Sequence, residues 1–125
     1  MKLFLAGILF LALQNVSAQE VTIETPILVQ NHYYPKPGMQ AEVLALRLHA
    51  SEVRKNLNLV VGRVLERINP EDGKPYVIWE AEYPSLEARE ADTSALDKSE
   101  EFKEIQHAMG KLIDKFERSV WKIHN

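Results

Sequence analysis

The chain has no cysteine among its 125 residues. It can form no disulfide, offer no thiolate to a metal and use no thiol nucleophile. Its five glycines are scattered, so no glycine-rich loop is available to cradle a phosphate. G-x-S-x-G is absent and no Ser/His/Asp grouping is legible, which moves hydrolase and nucleotide-dependent chemistry down the list. The four histidines, His32, His49, His107 and His124, lack the i, i+4 helical spacing of a local ligand set, and no metal is expected. Positive charge is scarce too: 15 basic residues face 18 acidic ones, for a net charge of −3. With no basic cluster, nucleic acid is not an expected partner. The longest apolar run, Leu3 to Leu13, falls short of the roughly 20 residues a membrane span requires.

That run has the flanks of an export signal. Lys2 supplies a positive start and Val16-Ser17-Ala18 places small residues before a cut. We therefore expect residues 1–18 to be a cleavable signal peptide, 19–125 a single domain, and the location secreted or periplasmic, with no membrane attachment after cleavage. Removing the signal takes away one lysine and leaves a net charge of −4 over 107 residues. A domain of that size has room for one modest core, and oligomerisation is the expected supplement to its stability. An exported domain cannot draw on cytosolic flavin or nicotinamide, and no cofactor is expected.

Periodicity gives the elements. Ile27 to Tyr34 reads as a strand ended by Pro35-Lys36-Pro37-Gly38, its two faces being Ile27, Val29, Asn31, Tyr33 and Leu28, Gln30, His32, Tyr34. From Met39 to about Asn58 the period becomes helical, with Val43, Leu46, Ala50, Val53 and Leu57 on the buried side and Arg47, Glu52, Arg54 and Lys55 largely opposite. Val60 to Ile68 and Tyr76 to Tyr83 form a hairpin around a turn-rich segment. Ser85 caps a helix that breaks near Asp97-Lys98-Ser99-Glu100, where Asp97 and Glu100 have capping-box spacing. Phe102, Ile105, Met109, Leu112, Ile113 and Phe116 make the stripe of a last helix, and Ser119 to His124 a closing strand.

The order predicts an α+β, ferredoxin-like βαββαβ domain: a four-stranded antiparallel sheet with its helices on one face. The third strand raises the question of what covers the other face. Val77, Trp79, Ala81 and Tyr83 suit the helices, whereas Ile78, Glu80 and Glu82 are neither plainly wet nor plainly dry. Arg63 and Arg67 on the second strand are spaced to meet Glu80 and Glu82, as a charge network or, with distant arginines, as a general base of raised pKa. A dimer interface is the expected cover.

Two segments carry a family resemblance: Tyr33-Tyr34-Pro35-Lys36-Pro37-Gly38 leading into Ala45-Leu46-Arg47-Leu48-His49, and Val77-Ile78-Trp79-Glu80-Ala81-Glu82-Tyr83-Pro84-Ser85-Leu86-Glu87-Ala88-Arg89. With the tail Phe116-Glu117-Arg118-Ser119-Val120-Trp121, the chain resembles the dimeric α/β-barrel superfamily, in particular NIPSNAP-like proteins related to the antibiotic-biosynthesis monooxygenases. The resemblance implies a homodimer paired sheet to sheet, a small hydrophobic or aromatic ligand, and cofactor-independent oxygenation as the chemistry. The residues it singles out as catalytic candidates are His32, Asn31, Tyr34, Trp79 and Arg89. Haem degradation, another activity of relatives, uses a helical His that the Ser85–Ser99 segment lacks. Against the catalytic reading stands a bland one, in which these side chains are ordinary packing and the protein is a non-catalytic structural or ligand-storage module.

Overall fold

The computed structural model describes residues 25–125; the expected signal peptide and the start of the mature chain lie outside them. Seven elements follow in order: β1 (Ile27–Pro35), α1 (Gln40–Asn56), β2 (Arg63–Glu66), β3 (Val77–Tyr83), α2 (Leu86–Leu96), α3 (Glu100–Leu112) and β4 (Ile113–Lys122). The strands form one sheet in the order β2-β3-β1-β4, and every pair is antiparallel. This is the ferredoxin-like βαββαβ arrangement, with its second helical segment split into α2 and α3.

Local chemistry fixes the turns. Pro37 and Gly38 occupy a turn closed by the Met39 N–H on the Lys36 carbonyl at 3.0 Å, with Gly38 at φ +81°, where a Cβ is disfavoured. Helix α1 ends in a Schellman motif: the Leu59 N–H reaches the Arg54 carbonyl, the Asn58 N–H reaches that of Lys55, and Asn58 takes φ +58°. Ser85 caps α2 by accepting from the Ala88 N–H at 3.1 Å. The cap of α3 is Ser99, not Asp97, its hydroxyl accepting from the Phe102 N–H at 3.2 Å.

Alternation along β1 is complete: Ile27, Val29, Asn31 and Tyr33 are buried under the helices, and the residues between them are half-buried on the opposite face. The core lies between that helix-facing side and α1 and α3, built from Val29, Tyr33, Val43, Val77, Trp79 and Met109, with Ala50, Val53 and Ile105 continuing it between the helices.

Two boundaries differ from the periodic reading. The last helix stops at Leu112, and Ile113 and Phe116 belong to β4. Their three-residue spacing fits a helix, but β1 is paired along its whole length by β4, Tyr33 facing Phe116 and Pro35 facing Ile113. Ladder bonds to a nine-residue neighbour outweigh one further helical turn. Strand β2 is also shorter than expected, four residues rather than nine. Gly62 at φ +67° bends the chain ahead of it, and the carbonyls of Val60 and Val61 turn inward to accept from Arg54 and Trp79. Ile68, read as strand, stands in solvent in the loop beyond.

Candidate functional site

A cavity of about 290 Å³ lies between the sheet and the helices. Its floor is a row of cross-strand neighbours: Trp79 on β3 pairs with Asn31 on β1, and Asn31 pairs with Arg118 on β4. The Arg118 Nε–H donates to Asn31 Oδ1 at 2.8 Å, which fixes the amide with its oxygen toward the guanidinium. Trp79 is 2% exposed, and its indole N–H donates to the Val61 carbonyl at 2.8 Å. Gly62 makes that approach possible, since a Cβ there would stand 2.8 Å from Trp79 Nε1 and closer still to the Glu80 carbonyl. Tyr33 and Phe116 form one wall, their rings edge to face at 5.3 Å. Helices α2 and α3 contribute Arg89, Thr93, Phe102 and Met109.

Four arginines line this space: Arg47, Arg54, Arg89 and Arg118. Arg54 has a counter-charge, although its Nε–H, like Asp92 Oδ1, is buried without a hydrogen-bond partner. Its Nη1 donates to Asp92 Oδ2 at 2.8 Å, both side chains being almost wholly buried, and the Tyr83 hydroxyl donates to the same oxygen at 2.7 Å. Burial, and next the bond to Asp92, pushes the Tyr83 phenol up to about 12, so it stays a donor at neutral pH. The Arg54 guanidinium also stacks over Trp79 at 4.3 Å.

Arg47 is in a different position. It is 3% exposed, stacks over the Trp79 ring at 5.0 Å, and its Nε–H is buried without an acceptor. Among the described residues no carboxylate lies within ion-pair distance of it. Burial lowers its pKa to about 10. A guanidinium this enclosed keeps its charge at neutral pH at an energetic cost. Arg118 is lowered as well, by burial first and then by the positive charge of Arg89.

The structure therefore divides the sequence candidates between two faces of the sheet. Asn31, Trp79 and Arg89 share the cavity. His32 and Tyr34 do not, because alternation along β1 turns them to the opposite face. There the Tyr34 hydroxyl bonds to Glu117, which raises the phenol's pKa and lowers the carboxylate's, and Lys115 sits 4.9 Å over the Tyr34 ring. His32 Nε2 is buried without a partner.

Across the same face runs a polar chain spanning all four strands. The Trp121 indole N–H donates to Gln30 Oε1, the Gln30 amide donates to Glu80 Oε1 at 2.9 Å, and the Arg63 Nε–H donates to Glu80 Oε2 at 2.7 Å. Gln30 first, and Arg63 with it, hold the Glu80 carboxyl below its ordinary range, so it is an ion-pair member and not a base of raised pKa. Arg67 instead donates to the Pro75 carbonyl, and Glu82 is exposed. Among the described residues no group of three or more His, Asp or Glu could hold a metal ion.

Arg47, Arg54, Tyr83, Asp92 and Arg118 were not among the sequence candidates. Charge alone places the arginines of α1 on its wet side. Helical phase was the available signal: Val43, Arg47, Ala50 and Arg54 are spaced by four, three and four residues and form one stripe, all buried.

Solved structures share this fold. A NIPSNAP family protein from Agrobacterium tumefaciens superimposes with a TM-score of 0.62 at 18% identity, covering 83% of this chain and 90% of its own. SnoaB, a cofactor-independent oxygenase from Streptomyces nogalater, gives 0.59 at 12% identity over 81% of this chain and 95% of its own. The chain has the fold of the NIPSNAP and antibiotic-biosynthesis-monooxygenase-like proteins. A dimeric ferredoxin-like protein from Bacteroides fragilis, at 9% identity, gives 0.60 over 82% of this chain and all of its own. No family model and no curated protein matches the sequence.

Proposed function

We propose that this chain is an exported homodimer that binds a small hydrophobic or aromatic molecule in the cavity between its sheet and its helices. The cavity itself carries the reading. Its interior is not filled by side chains, it is walled by Trp79, Tyr33, Phe116 and Phe102, and polar groups converge on it from Asn31, Arg89 and Arg118. Ligand sites combine an apolar lining with a few placed polar groups in this way, and about 290 Å³ suits a one- or two-ring molecule.

Export rests on Lys2, the Leu3 to Leu13 run and Val16-Ser17-Ala18. Dimerisation rests on the face that no helix covers among the described residues, where Leu65 and Trp121 are 40% and 54% exposed, and on the dimeric state of structural neighbours. Light scattering on the purified protein should give twice the mass of one chain; a monomer at micromolar concentration contradicts the pairing. Calorimetric titration with 2-naphthol should show one site per chain, and no heat up to millimolar concentration contradicts the ligand site.

A second reading adds turnover, and the description of SnoaB as a cofactor-independent oxygenase together with Asn31, Trp79 and Arg89 in one cavity favours it. A phenol would go to its quinone with one dioxygen consumed: one oxygen atom enters the ring, and the other leaves as water, reduced by the phenol's own electrons. The free NH2 of Asn31 and the Arg89 guanidinium would stabilise the developing oxyanion. Oxygen uptake with phenols and quinols, lost in Asn31→Ala and retained in His32→Ala, would place the chemistry in the cavity. The reverse pattern would place it on the open face, and no uptake at all would leave a binding or storage protein.

A further inference from the structure

The chain is acidic as a whole, at −3, yet its cavity is positive. Four guanidinium groups line it, and the carboxylates near them are Asp97 in the lining and Asp92, already bonded to Arg54. Arg47 is the residue this balance leaves without an explanation. A surface arginine needs no partner, but one that is 3% exposed with an unsatisfied Nε–H does. Its stacking on Trp79 orients the guanidinium plane without supplying an acceptor. Arg89 stands near enough to Arg118 for its positive charge to add to burial in lowering the Arg118 pKa, and among the described residues neither forms an ion pair. Three guanidinium groups thus line one cavity without an ion-pair partner among the described residues, beside an aromatic wall.

We propose that the cavity is selective for an aromatic anion, a one- or two-ring carboxylate or ionised phenol, with Arg47 as the buried partner of the negative group and Trp79 and Tyr33 against the ring. The proposal rests on the reading of the cavity as a ligand site and names the charge of what enters it. A planar guanidinium offers a carboxylate two parallel N–H donors, a geometry a lysine could not match. Asp92 does not oppose the anion, because Arg54 and Tyr83 already occupy one of its oxygens and Arg54 neutralises its charge. The arrangement also explains why arginine stands at position 47 on a helix stripe whose neighbours Val43 and Ala50 are buried and apolar.

Isothermal titration of the full chain with 1-naphthoate and with its neutral isostere 1-naphthamide tests this. Naphthoate should bind at least tenfold more tightly, and Arg47→Met should bring the ratio within about threefold. Equal affinities in the unsubstituted protein overturn the anion assignment while leaving an aromatic-ligand site standing. If neither probe binds up to millimolar concentration, both readings fall. A tenfold preference that survives in Arg47→Met overturns the role given to Arg47. The comparison in the unsubstituted protein decides the charge selectivity without any variant having to fold.

Discussion

Replacing Arg47 by methionine should make the ligand-free protein more stable, the reverse of what removal of a buried, well-ordered side chain ordinarily does. The guanidinium is buried, with no carboxylate partner among the described residues, and its pKa is lowered to about 10. Guanidinium groups ordinarily titrate above 12, and each pKa unit is worth about 1.4 kcal/mol, so enclosing the charge costs about 3 kcal/mol. Stacking on Trp79 at 5.0 Å returns about 1–2 kcal/mol of that. Methionine has a similar length, packs against the same ring and carries no charge. The net gain is about 1–2 kcal/mol, which in a domain of about 100 residues raises Tm by roughly 5–10 °C.

The pH dependence has a definite sign. A base whose folded pKa is lowered is penalised wherever it is charged in both states, and the penalty lifts only as pH rises through about 10. The difference in Tm between variant and parent should therefore be flat from pH 5 to 9. Scanning calorimetry of both proteins over that range makes the measurement. A variant less stable than its parent would show that Arg47 has an internal partner, and the argument for a missing counter-ion would fail.

Asp92→Ala should be the opposite case. It strips the buried Arg54 of its counter-charge and Tyr83 of its acceptor, and urea unfolding should show a loss of about 3–5 kcal/mol; a loss under 1 kcal/mol would mean that Arg54 finds another partner. Gly62→Ala places a Cβ at φ +67° against Trp79 and the Glu80 carbonyl, with an expected cost of about 2–4 kcal/mol from left-handed strain and the displaced indole. A neutral outcome would contradict the close approach. Glu80 has a depressed carboxyl pKa, so its contribution is fully present above its ordinary value near 4.3 and is lost as pH falls further. Glu80→Gln should accordingly flatten the decline of Tm between about pH 4.5 and 3, and an unchanged slope would assign that decline to other carboxylates.

Much of the fold was legible because strand and helix periods differ. The alternation of β1, the Ser85 cap and the helix-facing set Val77, Trp79, Ala81 and Tyr83 could all be read from spacing. The α3–β4 junction could not, since Ile113 and Phe116 satisfy a helical stripe and a strand equally, and only pairing with β1 decides between them. Gly62 lies inside an apparently continuous strand, where a lone glycine is a signal of bending or close approach, and it takes φ +67°.

The site was half legible. Alternation alone puts Trp79 on the helix-facing side and sets Asn31 on one face of β1 with Ile27, Val29 and Tyr33, while His32 and Tyr34, grouped with Asn31 by residue type, belong by the same alternation to the other face. The ionic part stayed hidden because a charged residue on a helix is normally a solvated one. Arg47 and Arg54 become exceptions only once tertiary packing brings Trp79 and Asp92 against them.

The two tryptophans provide the most direct test of where a ligand sits. Trp79 is in the cavity and Trp121 on the uncovered face of the sheet, so their indole N–H resonances report on opposite sides of the molecule. Assigned by Trp121→Phe and followed by 15N-edited NMR during titration with 1-naphthoate, the Trp79 signal should shift to saturation while that of Trp121 stays in place. A shift confined to Trp121, or none at either position up to millimolar ligand, would contradict a binding site between the sheet and its helices.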